Sequence, residues 1–167
     1  MLLNLIYEEK TRISDILRVG TSAGGAKPKA IIAYNENTGE VRSGQVNAPF
    51  GFTYWILKFD GVEDLKQKDN PQGLGRIEFA YYQMAVDCEI EMTECKLLCE
   101  DELAHFMTKR FDRTETGEKL HTQTLCAIAH FDRDERYSYE QVFQIMRKLF
   151  LPYSDMEQMY RRMVFLM

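Results

Sequence analysis

At 167 residues the chain has room for one compact domain, or for one lobe with an appendage. Its hydrophobic content of 45 % with 12 % aromatics excludes a disordered chain. Its net charge of −5 disfavours direct binding of nucleic acid, which needs clustered Lys and Arg, and the basic pairs Arg147–Lys148 and Arg161–Arg162 are surrounded by acids.

The opening MLLNLIYEEK has a short apolar run with no basic region before it and acids behind it. It is neither a signal peptide nor a spanning helix, and no other run approaches ~20 apolar residues. A soluble, cytoplasmic protein without a membrane partner is expected. Residues 11–18 have helical character through Ile13, Ile16 and Leu17, up to Gly20. In TSAGGAKPKA, Gly24 and Gly25 permit backbone geometries closed to other residues, and Pro28 forbids a helix. AIIAY (30–34) is rich in β-formers, and NENTGE (35–40) is a turn that returns the chain into VRSG.

FTYWILKFD (52–60) is the best strand in the sequence, with Lys58 near its end. Residues 61–74 are polar and carry Gly and Pro, which predicts a loop. Ile77, Ala80, Tyr81, Met84, Ala85 and Cys88 then recur at helical spacing, so 75–88 is expected to bury them along one stripe. CKLLC (95–99) and LAHFMTKRFD (103–112) read as two strands around the turn EDE. Segments 122–131, 138–149 and 154–165 have helical spacing, and Ser138 with Gln141 and Ser154 with Glu157 look like capping boxes. The fold class is therefore α+β: a small antiparallel sheet with a helix, residues 1–113, followed by helices only, residues 114–167. The cysteines, Cys88, Cys95, Cys99 and Cys126, form no paired CxxC pattern, so free thiols are expected and no metal site.

The glycine-rich stretch could bring bare backbone N–H groups to a phosphate, with Ser22 nearby, although taken alone a hairpin turn is the better explanation of two glycines. Lys58 among apolar neighbours needs an anionic partner, and Glu78, between Ile77 and Ala80 on the next helix, is placed to supply it. The alternative is that Lys58 extends to solvent at the strand end. Glycine-rich turn, strand lysine and helix glutamate follow one another in the order used by protein kinases.

The stretches VGTSAGGAKPKAIIAYN (19–35), YWILKFDGV (54–62), GRIEFAYYQMA (75–85) and HFMTKRFDR (105–113), continued by LHTQTLCAIAHFD and YRRMVF, resemble the HipA-type serine/threonine kinases, the toxins of bacterial toxin–antitoxin pairs. The resemblance implies a kinase-like N-terminal lobe followed by the first helices of the C-terminal lobe. It implies ATP as cofactor, covered by Gly24 and Gly25, with Ser22 as an autophosphorylation site. Lys58 would hold the ATP phosphates, with Glu78 as its partner. The backbone of the strand carrying Phe106, Met107, Thr108 and Lys109 would contact adenine. Arg110 and Asp112 are expected to form a structural pair. The implied partners are a helix-turn-helix antitoxin and a protein substrate of the aminoacyl-tRNA synthetase class.

The chain departs from the family in two respects, the small β-rich subdomain that usually precedes the glycine-rich loop and the catalytic machinery. The family's catalytic aspartate and the residues that hold magnesium follow the helix that YRRMVF begins, and no Asp here is followed five residues later by Asn. The resemblance thus leads to the expectation of a form truncated before the catalytic loop and inactive in phosphoryl transfer. The other expectation is a non-catalytic module that binds an antitoxin-like partner or a full-length kinase.

Overall fold

The computed structural model describes residues 29–61, 73–114, 116–132 and 134–166. The helix read over 11–18, the glycine-rich stretch with Ser22, Gly24 and Gly25, and residues 62–72 of the loop lie outside the described residues. The elements are β1 (Lys29–Tyr34), β2 (Val41–Ser43), β3 (Thr53–Lys58), α1 (Leu74–Asp87), β4 (Cys95–Glu100), β5 (Leu103–Lys109), α2 (Leu125–Ile128), α3 (Tyr139–Lys148) and α4 (Tyr153–Phe165). The architecture is α+β. The chain divides into two compact units, one up to Tyr81 together with Thr93–Leu120, the other Tyr82–Met92 together with the residues from His121 onward.

The first unit is built on a five-stranded antiparallel sheet in the order β2-β1-β3-β5-β4. Its first hairpin turns where the sequence is richest in turn formers. The Asn35 carboxamide oxygen accepts the N–H groups of Asn37 and Thr38, and Gly39 takes φ +70°. Strand alternation puts Ala30 and Ile32 of β1 on the same face as Trp55 and Leu57 of β3, where they pack with Phe59 and Met107. Trp55, Ile32 and Leu57 are fully buried there. The other face carries Lys29 and Ile31, then Ile56 and Lys58, all half-buried.

The first turn of α1 rests against β5. A Cβ on Gly75 would lie 1.8 Å from the Ala104 carbonyl oxygen, so only glycine allows this approach. That contact sets the rotation of the helix. Its more enclosed face reads Gly75, Glu78, Phe79, Tyr82 and Ala85, while Ile77, Ala80, Tyr81, Met84 and Cys88 are exposed. The expected buried stripe is corrected accordingly, with Ala85 its one buried member. Position 77 lies two residues, about 200°, around the helix from the glycine that touches the sheet.

In the second unit, Gln158 of α4 accepts the Glu91 N–H at 2.9 Å and donates to the Glu89 carbonyl at 3.1 Å, while Arg162 donates to the Glu91 carbonyl at 2.5 Å. Arg161 is paired with the Glu89 carboxylate. The capping box at Ser138 and Gln141 is present. At Ser154 it is not. The helix begins at Tyr153 with Pro152 as N-cap, whose fixed φ of −64° and extended ψ of 159° set up the first turn, leaving Ser154 inside it. The segment read over 122–131 shortens to Leu125–Ile128, capped by the Thr124 hydroxyl and ended where His130 takes φ 54°.

Gly75→Ala is expected to lower stability by about 1–3 kcal/mol, because the added methyl meets backbone that cannot rotate away. Urea denaturation followed by Trp55 fluorescence measures it, and an unchanged midpoint would contradict the close approach.

Candidate functional site

The half-open face of the sheet brings the sequence-predicted residues together. Antiparallel partners share a face, so Lys29, Lys58, Phe106 and Leu97 form one row across β1, β3, β5 and β4. Ile31, Ile56, Thr108 and Cys95 form the next. Lys58 Nζ lies 5.5 Å from the centroid of the Phe106 ring and 2.9 Å from Glu78 Oε2. Glu78 reaches it because it lies one turn beyond Leu74 and Gly75, on the side of α1 that meets the sheet.

Lys58 was expected to be buried, and it is not. Its side chain is 41 % exposed and that of Glu78 36 %, because Lys58 is the last residue of β3 and its four-carbon stem carries the ammonium past the strand end. Both readings of Lys58 therefore hold in part, since it is paired and also half-exposed. The contact is an ion pair without hydrogen-bond alignment, as Oε2 has no hydrogen-bond partner although it is shielded from solvent. An exposed pair of this kind contributes at most about 1 kcal/mol to stability. Stability does not account for three elements converging on it.

The convergence is fixed by Asp60, two residues beyond Lys58, with 1 % of its surface exposed. Its carboxylate accepts the N–H groups of Gly73 at 2.9 Å and Leu74 at 3.1 Å, the unpaired donors at the start of α1, and that of Ala104 at 3.5 Å. Its own N–H donates to Nδ1 of His105 at 2.9 Å. That bond makes Nδ1 an acceptor and puts the ring proton on Nε2, which is buried without a partner. Burial pushes the His105 pKa down, against the opposing pull of Glu100 and Asp60. Neither Asp60 nor His105 stood out in the sequence. The available signal was a carboxylate directly after the strongest strand and before Gly61, a weak one.

The other predicted residues divide. Phe106 is buried beneath Lys58, and Met107 points into the core on the opposite face. The Thr108 hydroxyl shares a hydrogen bond with that of Thr93 at 3.2 Å. β5 lies between β3 and β4, so the peptide groups of Phe106–Thr108 are paired on both sides, and the Lys109 N–H donates to the Glu94 carbonyl. The ladder ends where the Arg110 N–H reaches the Tyr54 carbonyl at 2.8 Å.

Arg110 and Asp112 form the expected pair, with Nε to Oδ1 at 2.7 Å, and Arg113 joins them at 2.9 Å. The Arg110 guanidinium holds the Asp112 carboxyl below its ordinary pKa. All four cysteines carry free thiols. Among the described residues no three His, Cys, Asp or Glu side chains gather as a metal site, and no helix is long and apolar enough to cross a membrane.

Residues 21–167 match the family model of the HipA-like C-terminal domain. No curated protein and no solved structure matches the chain significantly.

The buried imidazole makes stability pH-dependent. His105 takes up a proton more readily unfolded than folded, so its contribution is complete above the ordinary histidine pKa of about 6.5 and is lost as pH falls below it. Thermal unfolding between pH 7.5 and 5 should show this loss. His105→Asn, whose carboxamide oxygen can take the place of Nδ1 as acceptor, should have a flatter profile, and an identical slope in both proteins would exclude His105 as the group responsible.

Proposed function

The chain belongs to the family of HipA-like C-terminal domains, and from this premise we propose that its half-open sheet face holds ATP as the nucleotide-binding part of a HipA-type serine/threonine kinase, the toxin of a toxin–antitoxin pair. The observation that carries the proposal is the Lys58–Glu78 pair, an ammonium fixed at the edge of an apolar row on a surface it does little to stabilise.

The residues present fit the nucleotide. The Lys58 ammonium neutralises phosphate charge, and Glu78 keeps it over Phe106 rather than in solvent. Lys29 stands directly across the ladder from Lys58, which places a second positive charge at the same end of the face. Ile31 and Ile56 offer the planar base an apolar bed one row away. The peptide group of Phe111, beyond the last ladder bond at Arg110, is the candidate for a contact to the base.

Ser22, Gly24 and Gly25 would cover the phosphates, with Ser22 the autophosphorylated residue. Bound ATP supplies the transferable phosphoryl group. Transfer also needs an aspartate to orient the acceptor hydroxyl and side chains to hold magnesium. These residues lack the Asp and Asn spacing of that machinery, so by themselves they are proposed to hold nucleotide without turning it over. A helix-turn-helix antitoxin, a synthetase-class protein substrate and a cytoplasmic location complete the proposal.

A second reading, a non-catalytic module that binds an antitoxin-like partner or a full-length kinase, is favoured by the exposed run Leu149, Phe150, Leu151 and Tyr153 in the second unit.

ATP titration followed by thermal shift, with and without magnesium, separates the two. Saturable stabilisation is expected, and Lys58→Ala should weaken binding by about tenfold to a hundredfold, the effect of losing about 1.5–3 kcal/mol of charge-assisted contact. A folded chain that ATP does not stabilise would transfer the function to the second reading.

A further inference from the structure

We infer that Asp60 is a positioning residue of the nucleotide site, setting the Lys58–Glu78 contact by holding the start of α1 to the end of β3. The inference rests on the proposed function only for the purpose of the contact, because the contact itself can be observed without nucleotide.

An ordinary N-cap precedes its helix directly and serves that helix alone. Asp60 caps α1 from thirteen positions upstream of Gly73. It stands two residues beyond Lys58, the last residue of β3, so strand end and helix are joined through one carboxylate. The connections form a closed loop running from Lys58 along the chain to Asp60, from its carboxylate to the N–H groups of Gly73 and Leu74, along one helical turn to Glu78, and back to Lys58. Glu78 lies about 6 Å along the helix axis from Leu74, so a tilt at the pivot displaces its carboxylate from an ammonium 2.9 Å away.

The pivot is itself held. The Asp60 N–H is bound to His105 of β5, and its carboxylate also faces the Ala104 N–H next to the site of the Gly75 approach. Arg76 adds contacts to the Glu102 carbonyl at 3.4 and 3.5 Å, long enough to assist but too weak to hold the helix alone. With Asp60 removed, the glycine contact still allows α1 to lie on β5 but no longer fixes its direction.

The test is a double-mutant cycle between Asp60→Asn and Glu78→Gln, read in two ways. One is the dissociation constant for ATP. The other needs no nucleotide: the 13C shift of the Lys58 side chain in lysine-dimethylated protein, which reports the charge beside its ammonium. Each single variant is expected to weaken ATP binding by about tenfold. The double variant should be no weaker than the worse single, since both act through one contact. The Lys58 signal of Asp60→Asn should move towards that of Glu78→Gln, while the Trp55 near-ultraviolet signal stays native.

Losses that multiply in the double variant, or an unmoved Lys58 signal in a merely less stable Asp60→Asn protein, would overturn the inference. Should the wild type bind no ATP, the Lys58 shift still decides it, and only the nucleotide reading is lost. Should Asp60→Asn not fold, His105→Phe takes its place. It frees the Asp60 N–H while leaving the carboxylate intact, and a milder loss that vanishes in the Glu78→Gln background is then expected.

Discussion

A carboxylate withdrawn from water needs donors, and Asp60 obtains them from two other parts of the chain, the start of α1 and Ala104 of β5. Burying such a group without partners costs far more than a domain of this size can offset. The requirement therefore acts as a geometric constraint. The end of β3, the first N–H groups of α1 and the start of β5 must meet where the carboxylate is. The two helix donors it satisfies would otherwise be left unpaired, so one contact answers the needs of both strand and helix.

The site follows from that junction. Gly75 allows the helix to approach β5 until its backbone meets the Ala104 carbonyl, and the approach turns Glu78 towards Lys58. The cost of this rotation is visible on the far side of α1, where Ile77, Tyr81 and Met84 stay in solvent. A helix oriented only by hydrophobic burial would have turned those residues inwards. The polar junction and the glycine contact outweigh the apolar stripe because they leave no alternative arrangement of backbone groups, whereas exposed apolar side chains are tolerated singly on most surfaces.

Charge is distributed to the same end. The chain is acidic overall, yet the row that begins the half-open face puts Lys29 opposite Lys58 with Glu78 as the counter-charge beside Lys58. The opposite face of the sheet is a tightly packed apolar core around Trp55, Ile32 and Leu57. Strand alternation produces this division, since each strand sends one set of residues to the core and the other to the site. The chain belongs to the HipA-like C-terminal domain family, and this charged face is where the nucleotide is proposed to bind.

Local patterns were enough to read much of the molecule from its sequence. β-branched and aromatic residues marked β1 and β3, the turn EDE marked β4 and β5, turn formers marked the hairpin at Asn35, and Ser138 with Gln141 marked the cap of α3. The pairing of Lys58 with Glu78 was one of two readings the sequence left open, and the structure shows it with Lys58 also half-exposed. Each of these signals lies within a few residues or depends on one strong charge. The tertiary structure alone decided the rotation of α1, the end of β5 at Lys109 and the burial of Asp60 and His105. Those outcomes rest on contacts between Asp60 and Gly73, between Asp60 and His105, and between Gly75 and Ala104, groups separated along the chain by spacings that follow no period. Hydrophobic periodicity predicts that a helix has a preferred face. Which face turns inwards is decided by the backbone groups it must meet, and those are known only once the chain has folded.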